Sequence, residues 1–242
     1  MLKAGIVQIA TYLDIKLNTE KIARYVESAA KERIDILCFP ECSLTGYIRD
    51  FHQVTQEEVK NALGSIHHTA LKNRINVLLG TPYFIGDKIF NSAVLLSVDG
   101  SQSIYHKHLL TPADERYFVE GKEILTFAIK DVNCGVLICR DQNDPSLARR
   151  YAQEGAKVIF IPAAHYYPPP EAWLKFDKNK ALPIARAVEN NVYVFKANTV
   201  GSQGETISLG CSLIVSPDGL VIQEGDETGE AVLSYEILLE GK

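Results

Sequence analysis

Apolar residues in this chain fall into short runs of strand length, separated by stretches where they recur at every third or fourth position. KAGIVQIA (3–10) and IDILCFP (34–40) are runs of the first kind, the second stopped by Pro40. Between them Ile22, Val26, Ala29 and Ala30 mark one face of a helix, with Asn18 or Thr19 as its expected cap. A second helix is expected over 55–74, with Val59, Leu63, Ile66 and Leu71 as its apolar stripe. Three strands follow at 76–84, 88–97 and 101–108, with turn signals at Asp87 and at Asp99-Gly100. The pair 124–129 and 133–139 brackets Lys130-Asp131, a helix covers 145–154, and KVIFIPAA (157–164) is a further buried strand. A proline-rich loop, 165–173, leads into a long helix ending near Asn191. Strands at 192–198, 210–216 and 220–225 close the series, the last two joined by the turn SPDG (216–219). Strands apolar on both faces, alternating with helices, predict an α/β layered domain built on one or more mixed sheets. No repeat, low-complexity linker or charge block interrupts residues 1–242, so a single domain is expected.

The composition narrows the class of function. The 242 residues are 46% hydrophobic and 23% charged, close to the averages of soluble proteins. The net charge of −5 and the lack of a basic stripe argue against a nucleic-acid partner. No apolar run approaches the roughly 18 residues of a membrane span. MLKAGIVQIA has no small-residue cleavage site and reads as a first strand, not a signal peptide, so a cytoplasmic protein with no membrane partner is expected. The five cysteines (Cys38, Cys42, Cys134, Cys139 and Cys211) are an odd number in a chain too long to need disulfide staples, which fits free thiols in a reducing compartment. The close pairs are spaced C-x3-C and C-x4-C, and no His pair completes a tetrahedral set, so no metal is expected.

In layered α/β folds, ligands gather where buried strands run out into loops. Three such ends carry reactive side chains: IDILCFP delivers Glu41, SIYHK delivers Lys107, and GVLIC delivers Cys139. Taken singly they have ordinary readings: a solvated turn carboxylate, an exposed lysine and a small core hydrophobe. Together they suffice for acyl transfer. A thiol attacks a carbonyl or nitrile carbon once a base has taken its proton, a carboxylate is such a base, and an ammonium stabilises the oxyanion. The competing Cys–His arrangement would need one of six histidines. His106 and His108 flank Lys107 and face away from it in a strand, while His165 has no evident orienting partner. No GxSxG, HExxH, GxGxxG or P-loop pattern is present.

Five segments, in the right order along the chain, resemble the nitrilase superfamily of carbon–nitrogen hydrolases. FPECSLTGY (39–47) is similar to its glutamate segment, with Glu41 as general base, and YHKHLL (105–110) to its lysine segment, with Lys107 catalytic. GVLICRD (135–141) is similar to the nucleophile segment, with Cys139 as nucleophile and Asp141 in its usual place. ERYFVEG (115–121) resembles the stretch with a second glutamate, here Glu115, which orients lysine and substrate. ARAVENNVYVFKANTVG (185–201) resembles the late helix–strand block, with Arg186, Glu189, Asn190 and Asn198 in their places, and Trp173 and the SPDG turn also fall on the pattern.

The resemblance implies an αββα four-layer sandwich: two mixed sheets face to face with helices outside, commonly assembled as a homodimer or higher homo-oligomer. It implies no metal and no organic cofactor. The implied activity is hydrolysis of a non-peptide C–N bond through a Cys139 thioester, most simply in the amide of a small carboxylic acid, releasing ammonia. N-carbamoyl compounds, nitriles and acyl transfer to an amine begin from the same chemistry, and a weakly active nitrilase-like binding protein is the alternative of another class. The peptide N–H of Arg140 can help bind the oxyanion, and Asp141 is expected to pin the turn. Arg140, Asn143, Asp144 and Ser146 depart from the family's usual residues, so the pocket walls differ. The Arg140 guanidinium could pair with a substrate carboxylate, or instead with Asp144 or solvent.

Overall fold

The computed structural model describes residues 1–47 and 50–238. In chain order its elements are β1 (Leu2–Gln8), α1 (Ile15–Lys31), β2 (Ile36–Cys38), α2 (Gln56–Asn73), β3 (Asn76–Ile85), β4 (Lys88–Leu96) and β5 (Gln102–His106). Then come β6 (Thr126–Ile129), β7 (Val132–Val136), α3 (Pro145–Gln153), β8 (Val158–Ala163), α4 (Pro169–Asn190) and β9 (Tyr193–Asn198). The chain ends in β10 (Val200–Gln203), β11 (Thr206–Leu209), β12 (Leu213–Val215), β13 (Val221–Glu224) and β14 (Ala231–Ile237).

Two six-stranded mixed sheets result, ordered β14-β1-β2-β3-β4-β5 and β13-β12-β9-β8-β7-β6. Each has a parallel centre, β1-β2-β3 in one and β7-β8-β9 in the other, with antiparallel strands outside. The alternation along the strands shows why they stack. In β1 and β2, Ala4, Ile6, Ile36 and Cys38 face one core, while Val7, Leu37 and, just past β2, Phe39 face another. The first core also takes Cys134, Val136, Val158, Phe160 and Phe195 from the second sheet, so it is the filling between the sheets. Outer faces pack on helices: Val7, Leu37 and Leu79 against Ile22, Val26 and Ile66 of α1 and α2, and Leu137, Ile159 and Val194 against Leu147 and Ala187 of α3 and α4. Strands apolar on both faces are thus covered on both, and the layers run helix, sheet, sheet, helix as expected.

Several boundaries move. The cap of α1 is Asp14, whose carboxylate accepts from Leu17 N–H; Asn18 lies inside the helix and is buried. Its Oδ1 accepts from Tyr12 N–H at 2.8 Å, and its Nδ2 donates to the carbonyls of Tyr12 at 2.7 Å and Leu44 at 3.1 Å. On α2 the stripe turns onto Ala70, leaving Leu71 exposed. β7 ends at Val136 instead of running to Cys139, which opens a short 3-10 turn, Cys139–Asn143. The proline-rich stretch is shorter than expected because Pro169 and Pro170 fit the first turn of α4, where an N–H has no helical partner. The β10–β11 hairpin and β14 carry no sequence signal strong enough to stand out; β14 is polar at alternate positions and forms an edge beside β1. Lys130-Asp131 does turn the β6–β7 hairpin, both residues at positive φ, as a two-residue turn of matching twist requires.

Asn18 ties α1 to the Tyr12 backbone ahead of the helix by two hydrogen bonds and to Leu44, in the turn after β2, by one. Asn18→Ala should therefore cost about 1–3 kcal/mol, because it strands buried backbone groups. The expected readout is a lower urea midpoint with an unchanged slope.

Candidate active site

Glu41, Lys107 and Cys139 arrive from three chain segments that leave the sheets at one end. Glu41 opens a turn directly after β2, and Phe39 still pairs with Leu78 of β3. The turn lies tight on β3: a Cβ on Gly80 would sit 2.2 Å from the Pro40 carbonyl oxygen and 2.6 Å from Glu41 Cα. Only glycine allows the carboxylate-bearing backbone so close. Lys107 is the first residue past β5, and its backbone is held on both sides, N–H to Asn91 O at 2.8 Å and carbonyl to Gly121 N–H at 2.8 Å. Cys139 lies two residues beyond the last sheet bond of its segment, Leu137 N–H to Phe160 O at 2.9 Å, and has φ +47°. A non-glycine residue in that left-handed region is strained, which persists only where the surroundings dictate it.

Asp141 supplies much of that constraint. It is fully buried; its Oδ2 accepts from Ile138 N–H at 2.9 Å and Tyr105 O–H at 2.8 Å. Its Oδ1 accepts from Leu109 N–H at 2.7 Å and His108 N–H at 3.1 Å. The expected turn-pinning role is therefore only half of what Asp141 does, since three of its four donors belong to the segment that carries Lys107. Arg186 braces the turn from the other side, donating through Nε to Gln142 O at 2.9 Å and pairing with Glu189. Asn190 donates to the Arg186 carbonyl, and Asn198 donates to Gly210 O and accepts from His165 N–H.

Within this frame the Lys107 ammonium, wholly buried, touches two carboxylates: Glu41 Oε1 at 2.6 Å and Asp114 Oδ2 at 2.8 Å. The second carboxylate is a correction to the sequence reading. Glu115 is exposed, and its neighbour Asp114 is buried on the lysine. The 3-10 turn Asp114–Arg116 directs Asp114 inward, where Thr111 N–H and Tyr47 O–H also bind its oxygens at 2.9 Å each. Sequence reasoning also missed Asn91, which donates to Glu41 Oε1 at 2.8 Å, and the Ala164 N–H, which donates to Glu41 Oε2 at 3.1 Å. A polar Asn inside the apolar run of β4 was a legible signal; a backbone N–H at the end of β8 has none.

Burial drives the protonation of the cluster. It lifts Glu41 above the ordinary carboxylate range, with Lys107 pulling the other way. For Lys107, burial alone would lower the pKa, but Glu41 and the other surrounding acidic groups outweigh it and hold the ammonium firmly protonated. Burial also pushes Asp114 up, yet Lys107 and its hydrogen bonds leave it lowered. Burial and then the Glu41 charge raise the Cys139 thiol well above its usual value, with Lys107 and the Ala164 N–H opposing them. The thiol is thereby held neutral at rest, with the Glu41 carboxyl, paired to Lys107, beside it as proton acceptor. Glu41 Oε1 is taken by Lys107 and Asn91, so Oε2 is the oxygen with spare capacity for a proton.

The histidines stand apart from this. His106 Nδ1 meets Ser92 Oγ at 2.7 Å and His108 Nε2 meets Glu123 O at 3.1 Å, both away from the thiol. His165 lines the cleft over Cys139, but burial and then Lys196 and Lys107 keep it neutral. All five cysteines are free and buried, and no group of three or more His, Cys, Asp or Glu among the described residues could hold a metal ion. Arg140 also lines the cleft and is exposed; it does not pair with Asp144, which caps α3 through Ser146 N–H at 2.8 Å. Trp173 is an exposed residue of α4, outside the cleft lining.

The family model "Carbon-nitrogen hydrolase" matches residues 3–241. A protein described as a nitrilase, from Pyrococcus abyssi, is 32% identical, over 98% of this chain and 90% of its own length. A 2-oxoglutaramate amidase from Bacillus subtilis is 29% identical, over 92% of this chain and 85% of its own. The crystal structure of an amidase from Nesterenkonia sp. superposes with a TM-score of 0.86 at 26% identity, covering 97% of this chain and 90% of that one. A match over almost the whole sequence, with this four-layer fold, makes the chain a member of the carbon–nitrogen hydrolase family.

Proposed function

We propose that the chain is a cysteine-dependent amidase that hydrolyses the amide of a small carboxylic acid, with residues 1–242 forming one catalytic domain. The observation that carries this reading is the buried Glu41–Lys107–Asp114 cluster beside the thiol of Cys139, at the foot of an open cleft of about 360 Å³. A cleft of that size suits a small molecule. The amidases among its relatives favour an amide over a nitrile or an N-carbamoyl compound.

The geometry supports the following sequence of steps. Glu41 Oε2 takes the Cys139 proton as Sγ attacks the amide carbon, so the thiolate exists only when it is needed. The carbonyl oxygen becomes an oxyanion facing the Lys107 ammonium and the Arg140 peptide N–H. Glu41 returns the proton to the nitrogen, ammonia leaves, and a thioester on Cys139 remains. Water then attacks the thioester, its proton passing to Glu41, and the acid departs as Sγ is reprotonated. Asp114 acts through Lys107 as a positioning residue, and Asp141 acts through the backbone of both segments. Arg140 adds a cation at the substrate's side of the cleft, and Glu115 has no role in this scheme.

An intact cluster and an open cleft favour this reading over a binding protein of weak activity. We place the enzyme in the cytoplasm on its five free thiols, and no described helix is long and apolar enough to cross a membrane. We also assign it a homodimer, on the exposed apolar side chains of α4, Trp173 and Leu174, which sedimentation velocity reads directly.

Ammonia release from a panel of small amides, carbamoyl compounds and nitriles tests the reaction. Wild type should act on amides and Cys139→Ala on none. Glu41→Gln should give no acyl-enzyme by intact-mass analysis; accumulation of a thioester adduct would confine Glu41 to the second step. Asp114→Asn should lower kcat by about two orders of magnitude, the scale of a lost electrostatic group. Glu115→Gln, at the surface, should stay within about twofold of wild type.

A further inference from the structure

The cleft over Cys139 has a charge pattern unlike that of the whole molecule. The chain carries a net charge of −5, yet the cleft is lined by three cations, Arg140, Lys175 and Lys178, and by no carboxylate among the described residues. Lys175 is partly engaged, paired with Glu171 and lying 4.3 Å from the centre of the Tyr167 ring. Arg140 and Lys178 are exposed and make no ion pair with a described residue. Lys175 and Lys178 are three residues apart on α4 and so share a face. Lining residues also present buried polar atoms with no partner in the protein, among them Gln142 Oε1 and His165 Nδ1, which points to a ligand with hydrogen-bonding groups of its own.

The floor has the opposite sign. Two carboxylates, Glu41 and Asp114, are set there against the single ammonium of Lys107, beneath the thiol. An anionic group is therefore repelled from the floor and attracted to the cationic wall, and a substrate with one neutral and one anionic end is oriented before any chemistry occurs. We infer that the substrate is an amide carrying a carboxylate at its far end, with the amide carbon at Cys139 and the carboxylate held by Arg140 and Lys178. This deepens the amidase reading and rests on it.

Succinamate and butyramide have the same chain length and differ at the far end, carboxylate against methyl. The test compares their kcat/KM by ammonia release in wild type, Arg140→Lys and Arg140→Gln/Lys178→Gln, and their binding to Cys139→Ala by calorimetry. Succinamate should be preferred by at least about tenfold, the scale of a charge-assisted contact. The preference should fall as salt rises, survive largely in Arg140→Lys and shrink toward unity in the double variant. If butyramide is turned over as well or better, the carboxylate inference fails and the amidase reading stands. A preference unchanged in the double variant would overturn the assignment to Arg140 and Lys178. If neither amide is turned over but Cys139→Ala binds succinamate selectively, the anion site stands and the amidase reading fails. With neither turnover nor binding, both fail.

Discussion

A lysine with no exposure to water, wedged between two carboxylates, is the constraint on which the rest of this structure depends. Burying one such charge costs several kcal/mol, and removing one partner of a buried pair typically costs about 3–5 kcal/mol. The cluster is therefore stable only if all three members arrive together and their spare lone pairs are met. They are met by named groups: Asn91 and the Ala164 N–H on Glu41, and Thr111 N–H and Tyr47 O–H on Asp114. None of these is near the others in sequence. The cost of the buried charge is offset by folding itself, and the chemistry uses an electrostatic field that is already in place before substrate binds.

The sandwich makes that convergence possible. Glu41 and Lys107 leave one sheet, while Cys139 and the Ala164 N–H leave the other, so the site straddles the seam between them. One device crosses the seam, and another seats the glutamate turn beside it. Asp141 ties the nucleophile's turn to the lysine segment across it, and Gly80 lets the glutamate turn lie flat on its own sheet. The positive φ of Cys139 follows: the chain must break away from the sheet abruptly to present its thiol upward, and Asp141 accepts from Ile138 N–H on one side of the break. Asn18 extends the same logic outward, linking the first helix to the Leu44 carbonyl in the glutamate turn.

Much of this could be read from the sequence because its physics is local. Strand-length apolar runs gave the sheets, and the polar residues just beyond three of them gave Glu41, Lys107 and Cys139. What could not be read is non-local. Asp114 and Glu115 are adjacent carboxylates, and only the direction of a 3-10 turn decides which one reaches Lys107. Asn18 looks like a cap and is a buried bridge, because its partner Leu44 lies 26 positions away. The strand expected to run to Cys139 stops at Val136, since periodicity registers apolar residues and not the point where hydrogen-bonded pairing ends. β14 was lost for a similar reason: an edge strand with polar alternate positions differs little from a loop until β1 pairs with it.

The central claim is that Cys139 rests as a neutral thiol and that Glu41 takes its proton during attack. Burial raises both groups, but they would limit the reaction at very different pH. The direct measurement is the single-turnover rate of ammonia release from a small amide as a function of pH. Glu41 must be ionised to act, so the rate should rise through one limb lying above the ordinary carboxylate value of about 4.3 and below the ordinary thiol value. A limb at or above the free-thiol value of about 8.5 would mean that the enzyme waits for a preformed thiolate, and would contradict the account.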